Sequence, residues 1–175
     1  MTTKKKSVGI QFLSRDEKGK LVAILQVRSR WNAEKNCGES WPGLCQVTAH
    51  GKLEENENFM QGLLREVKEE LGSEISNMVQ KIYTSGKLIE LINKEDSEKH
   101  IITYGAIIDE KLLQNMVQRE KKASFGGFKI IRKNEVKKIV DIKKFDKVAG
   151  VTDEKIIAMF GDEKEAVKIA FEKLV

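Results

Sequence analysis

The stretch GKLEENENFMQGLLREVKEELG, residues 51–72, constrains this chain more than any other. Glu66, Glu69 and Glu70 stand at i, i+3 and i+4, so on an α-helix their side chains leave neighbouring points of one surface. Met60, Leu63, Leu64, Val67 and Leu71 recur at helical spacing and form an apolar stripe beside that acidic edge. The segment therefore predicts a helix packed on a core, with three carboxylates converging at its rim. Each like-charge pair at this spacing costs about 0.2–0.5 kcal/mol, so the cluster is unfavourable unless a cation offsets it. Oxygen-only ligands suit Mg²⁺ or Mn²⁺ rather than zinc, because sulfur and imidazole are scarce nearby. Gly72 reads as a left-handed C-terminal stop.

Strings such as KEEL are common on solvated helix faces in a chain that is 34% charged, but the full set of fixed positions is not. Gly51, Glu57, Arg65, Glu66, Val67, Glu69, Glu70 and Gly72 fall in register with the Nudix box, which the segment resembles. That pattern runs Gly, five residues, Glu, seven residues, Arg-Glu, an aliphatic, any residue, Glu-Glu, any residue, Gly and an aliphatic. Ser73 departs from the last place without touching a proposed ligand.

The resemblance implies a Nudix-type α/β/α sandwich with a mixed sheet. It also implies a Mg²⁺ or Mn²⁺ site on Glu66, Glu69 and Glu70, joined by the backbone carbonyl of His50. A second glycine is usual at that place, so His50 is a departure. Arg65 and Glu57 would orient the ligands through an ion pair, with Gly51 and Gly72 supporting the box. The implied reaction is hydrolysis of the phosphoanhydride in a nucleoside diphosphate linked to another moiety. The general base would be a box glutamate, Glu69 or Glu70, or one from a loop beyond the box, for which Glu120 is the candidate. Trp31, Trp41 and Phe125 are candidates to stack on a nucleobase, although core packing or loop anchoring is the more ordinary use of each.

The rest of the chain agrees with a layered mixture of helices and strands. Val8 to Leu13 and Leu21 to Val27 read as a hairpin around SRDEKGK, Ser29 to Gly43 as a loop, and Leu44 to Thr48 as a short strand. After the box, Lys81 to Ile92 and His100 to Ile108 read as strands, Glu110 to Glu120 as a helix, Phe128 to Ile131 as a strand and Asn134 to Ile139 as a helical turn. The tail from Thr152 reads as two helical pieces, with Asp162 and Glu165 forming a capping box. The 175 residues, 40% of them hydrophobic, suit a single domain of α+β or α/β/α type, with residues 1–6 expected to be disordered.

No apolar run is long enough for a membrane span and the N-terminus has no signal-type stretch, so a soluble cytoplasmic protein is expected. Cys37 and Cys45 lack metal-site spacing and are read as free thiols. The net charge of +5 could steer a polyphosphate small molecule towards the site. An RNA end is the less favoured substrate, and homodimers are frequent among similar proteins.

Two rival readings remain. WPGLCQVTAH resembles the stretch of isopentenyl diphosphate isomerase, a Nudix-fold relative, in which a catalytic cysteine lies two places before a histidine. Here His50 fits, but the cysteine place holds Thr48, a poor acid and nucleophile. A catalytically silent module that binds a nucleotide or RNA is the other rival, yet all box carboxylates are present.

Overall fold

The computed structural model describes residues 4–118 and 125–174. Its centre is a seven-stranded mixed sheet in the order β5-β2-β1-β8-β7, with β6 added to β1 and β9 to β2. These strands are β1 (Lys5–Arg15), β2 (Leu21–Arg28), β5 (Cys45–Gln46), β6 (Ala49–Lys52), β7 (Ile89–Glu95), β8 (Lys99–Ile107) and β9 (Phe125–Arg132). Between β2 and β5 the chain makes a small ribbon of β3 (Trp31–Asn32) and β4 (Cys37–Gly38), and a parallel pair, β10 (Val140–Asp141) and β11 (Ala158–Met159), precedes the last helix. β1 and β8 run parallel, and the other pairs of the central sheet run antiparallel.

Period-two alternation decides which face each strand residue serves. Val22 and Ile24 point into a core shared with Val8, Ile10 and Phe12, while Ala23 and Leu25 point into the opposite one. On the first face lie α1 (Phe59–Leu71), α2 (Ser73–Thr84) and α3 (Glu110–Val117); on the second lies α4 (Gly161–Lys173). The result is the expected α/β/α arrangement around a mixed sheet.

The sheet is split, and the split positions the site. β1 pairs with β2 only from Leu13 to Arg15; further back, Ser7 to Ile10 pair with β6 instead. Where β1 and β2 part, side chains take over from the ladder. Thr48 Oγ1 accepts from the Phe12 N–H at 2.8 Å and donates to the Ile24 carbonyl at 2.7 Å, and Gln11 Nε2 donates to the same carbonyl at 3.0 Å. Buried backbone groups left unpaired are costly, so Thr48 acts as a wedge that satisfies both strand edges.

Several local expectations give way to longer-range packing. Residues 73–84 form α2, where a strand was expected from Lys81. Ile75, Met78, Val79 and Ile82 recur at helical spacing and enter the same core as α1, which outweighs the β-propensity of Ile82 and Tyr83. Ser73 opens this helix, and Ile75, two places on, is fully buried in the core shared with α1. Gly72 does stop α1, but at φ 94° and ψ 166°, outside the left-handed helical region and open in practice to glycine alone. It serves at once as the C-cap of α1 and the N-cap of α2.

In the tail, residues 152–160 hold β11 rather than a helix, and α4 begins at Gly161 behind Phe160. Asp162 is not its cap, because its carboxylate is drawn to Lys94 and Lys99 at 2.9 and 3.2 Å. At the other end Lys5 and Lys6 already belong to β1, and Lys4 pairs with Glu95 at 2.7 Å, so the expected disorder does not extend through residues 4–6.

Candidate active site

The box helix begins where Asn58 and Gln61 cap each other: Asn58 Oδ1 accepts from the Gln61 N–H and Gln61 Oε1 from the Asn58 N–H, both at 2.9 Å. Leu63, Val67 and Leu71 are buried as the stripe requires, with Met60 and Leu64 packed beside them. The acidic edge is thereby turned towards β6.

Arg65 organises that edge. Its Nε and Nη2 bond the two oxygens of Glu57 at 2.8 and 3.0 Å, a bidentate fork, while Nη1 reaches Glu66 at 2.8 Å and Nη2 the Lys52 carbonyl at 2.9 Å. Glu69 is the loosest partner, at 3.3 Å from Nη1 with a side chain 58% exposed. The guanidinium holds the Glu57 carboxyl below the usual range.

Glu66 is packed against Gly51, where any Cβ would overlap its carboxyl group. This close approach explains why the box requires glycine there. Burial pushes the Glu66 carboxyl up, against the pull of Arg65. Burial and then the negative charge of Glu66 raise Glu70 to about 8, although the His50 N–H donates to its Oε2 at 3.2 Å.

The expected convergence of three carboxylates is thus only partly realised. The three charges feel one another, since Glu66 and Glu69 both raise Glu70 and Glu69 also raises Glu66, but Glu69 is mostly exposed and turns to Arg65. Among the described residues no three His, Cys, Asp or Glu side chains gather into a ready-made metal cluster. The donor set nevertheless fits a hard cation: two half-buried acids held together against their repulsion, a glycine leaving room beside one of them, and a third carboxylate on the same helix.

A cleft of about 840 Å³ opens beside this edge, between the end of β2, β6 and the start of α4. Gln26, Arg28, His50, Gly51, Glu70 and Glu163 are among its walls. The His50 imidazole is kept neutral, its pKa lowered to about 4 by burial and then by Arg28. Thr48 is fully buried and committed to the sheet split, so its hydroxyl does not face the cleft as the isomerase reading needs.

The aromatic candidates are not gathered here. Trp31 is 54% exposed on the β3–β4 ribbon, and Trp41 packs edge-on against Phe160 with ring centroids 6.1 Å apart. Neither lines the cleft among the described residues. Phe125 pairs with Arg28 through its backbone, and Glu120 lies outside the described residues. Sequence reasoning missed Gln26, Arg28, Phe160 and Glu163. A polar Gln26 inside the apolar run LVAILQV was the one available signal. Cys37 and Cys45 are both free thiols.

Comparison with known proteins places this geometry. The family model described as the NUDIX domain matches residues 3–148. A mutT/nudix family protein from Listeria innocua is similar in structure, with a TM-score of 0.55 and 20% identity over 77% of this chain and 82% of that one. The NUDIX domain of Shewanella oneidensis NrtR, solved with ADP ribose, has a TM-score of 0.56 and 16% identity over 100% of this chain and 91% of its own. No curated protein matches the chain in sequence.

Proposed function

The chain belongs to the Nudix family of pyrophosphohydrolases, and from that premise we propose that it hydrolyses the phosphoanhydride of a nucleoside diphosphate linked to another moiety, using Mg²⁺ or Mn²⁺ held by Glu66, Glu70 and Glu69. The carrying observation is the acid pair Glu66 and Glu70, half-buried, with Glu70 on the cleft wall; burial pushes both carboxyls up, and the charge of Glu66 pushes Glu70 further. A divalent cation bound there would neutralise the phosphate oxygens and assist the attacking water.

The chain's own groups supply the rest. Arg65, fixed by Glu57 and the Lys52 carbonyl, keeps Glu66 in place and prevents the helix edge from splaying. The His50 backbone N–H fixes one oxygen of Glu70, and the neutral imidazole adds no charge to compete with a cation. Glu69, exposed and bound only at 3.3 Å, is the carboxylate free to swing inward or to take the proton as water attacks phosphorus and the anhydride bond breaks. Arg28, Lys52, Lys99 and Lys143 line the cleft and suit the negative charge of a diphosphate.

Incubating the protein with ADP-ribose, dinucleoside polyphosphates, coenzyme A, capped RNA and oxidised dNTPs, with Mg²⁺, Mn²⁺ or chelator, tests the reading through release of nucleotide monophosphate or phosphate. Metal-dependent turnover of at least one compound is expected, lowered about 10³-fold or more in Glu70→Gln with the fold intact. Near-full turnover in Glu70→Gln would remove the metal-face assignment.

A further inference from the structure

The segment 140–144 serves two cavities. Asp141 and Lys143 line the cleft, whereas Val140 and Lys144 line a second hollow of about 320 Å³. Alternation along β10 sends Val140 and Asp141 to opposite sides, so the hollow backs onto a wall of the cleft without being part of it. Its other wall, residues 155–157, lies beyond the span that the family model matches.

The floor of the hollow is apolar. Val140, Phe145 and Ile156 pack on the core beneath while staying only half-buried, beside the nearly buried Ile157. The rim is basic. Lys138, Lys144 and Lys155 are all exposed, and among the described residues none of the three ammonium groups has a hydrogen-bond or ion-pair partner. The acid on the wall, Glu135, already accepts the Arg132 N–H at 2.8 Å through Oε2. Other lysines nearby hold the walls in place: Lys129 Nζ donates to the Glu154 and Ile156 carbonyls, and Lys164 Nζ to the Ile139 carbonyl at 2.7 Å. The Val140 N–H joins the two walls by donating to the Ile157 carbonyl at 2.9 Å. The hollow is therefore preformed, which lowers the ordering cost of binding.

The chemistry of the walls selects the occupant. Half-buried apolar groups gain by being covered, and three unpaired cations around them gain by meeting anions. A small molecule is a poor fit, because none of the buried polar side chains lines the hollow to fix its orientation. A bilayer fits no better, since insertion needs a protruding apolar face and this one is concave. We propose that the hollow docks a linear segment of a partner protein, with a bulky apolar residue seated on Phe145 and Ile156 and Asp or Glu on both sides of it facing Lys138, Lys144 and Lys155. This docking surface is independent of the hydrolase reading.

A displayed library of random linear peptides, selected on the whole chain, tests the proposal. The enriched peptides should share a bulky apolar residue flanked by acids, and the synthetic consensus peptide should bind in solution by fluorescence anisotropy. Replacing Lys138, Lys144 and Lys155 together by Ser should weaken that peptide about tenfold or more, as should Ala in place of its apolar anchor. Arg at the same three positions should keep affinity within about threefold, because it keeps the charge. Replacing the exposed Lys87, Lys111 and Lys168 by Ser removes equal charge elsewhere and should also stay within about threefold. Metal-dependent hydrolysis and Tm should be unchanged in all three variants. Absence of such a consensus would overturn the assignment, as would equal weakening by the two Ser variants. Equally tight capture of phosphatidylserine vesicles, or of the free anchor amino acid as its N-acetyl form, would overturn it in favour of a membrane or small-molecule site.

Discussion

Arg65→Ala offers the sharpest test of how the acidic edge is held. The guanidinium makes hydrogen bonds to Glu57, Glu66, Glu69 and the Lys52 carbonyl. Glu69 contributes little, being long at 3.3 Å and mostly exposed. Glu57 and Glu66 matter more, because their side chains are only 16% and 14% exposed and would lose their cation, Glu57 keeping just the Glu54 N–H at 2.8 Å. Removing one member of a fully buried pair costs about 3–5 kcal/mol, and partial access of water lowers the expectation here to about 2–4 kcal/mol. For a chain of this size that corresponds to a fall in Tm of about 5–15 °C.

Thermal and urea denaturation in chelator, which removes cation binding as a variable, measures the loss. Arg65→Lys should recover less than half of it, since a point charge cannot reproduce the fork on Glu57. A double-mutant cycle of Arg65→Ala with Glu57→Gln should return a coupling of about 1.5 kcal/mol or more. Full stability in Arg65→Lys, or a coupling below about 0.5 kcal/mol, would refute the claim that the bidentate geometry fixes the edge.

Gly51→Ala places a Cβ on the Glu66 carboxyl, so hydrolysis should fall by about tenfold or more and the thermal shift given by Mg²⁺ should shrink; an unchanged shift would show that Glu66 can move freely. Glu163 rises from its ordinary 4.5 to about 8, so the stability it contributes is full below about pH 4.5 and is lost as the pH climbs through about 8. Because Glu163→Gln does not titrate, its stability relative to wild type should increase across that window by at most about 1.4 kcal/mol per pH unit; equal differences at pH ~5 and ~8.5 would contradict the burial of this acid. Thr48→Val keeps the shape but leaves the Phe12 N–H and Ile24 carbonyl without the hydroxyl, an expected loss of about 2–3 kcal/mol by urea denaturation. Thr48→Cys should give no isopentenyl diphosphate isomerisation, and any such product would reopen the isomerase reading.

What the sequence determined by itself was whatever depends on near neighbours. The i, i+3, i+4 spacing of Glu66, Glu69 and Glu70, the stripe from Met60 to Leu71 and the hairpin of β1 and β2 are local patterns, and each appears in the structure. The family followed from the same residues, because the box is a contiguous string whose geometry is set by one helix and the glycine facing it. Local reading faltered where two propensities competed: residues 81–84 are β-prone taken alone, and only the core shared with α1 makes them the end of α2.

The tertiary structure decided what depends on residues far apart in the chain. Thr48 looked like a displaced catalytic position, and its role as the wedge between Phe12 and Ile24 exists only because β1 leaves β2 for β6. Glu163 was one acid among many in a charged tail until the fold set it against Val47 and Arg28 and left it only 8% exposed on the cleft wall. Burial and partner loss are properties of the assembled layers. No spacing within the chain encodes them, and they distinguish this cleft from a solvated acidic surface.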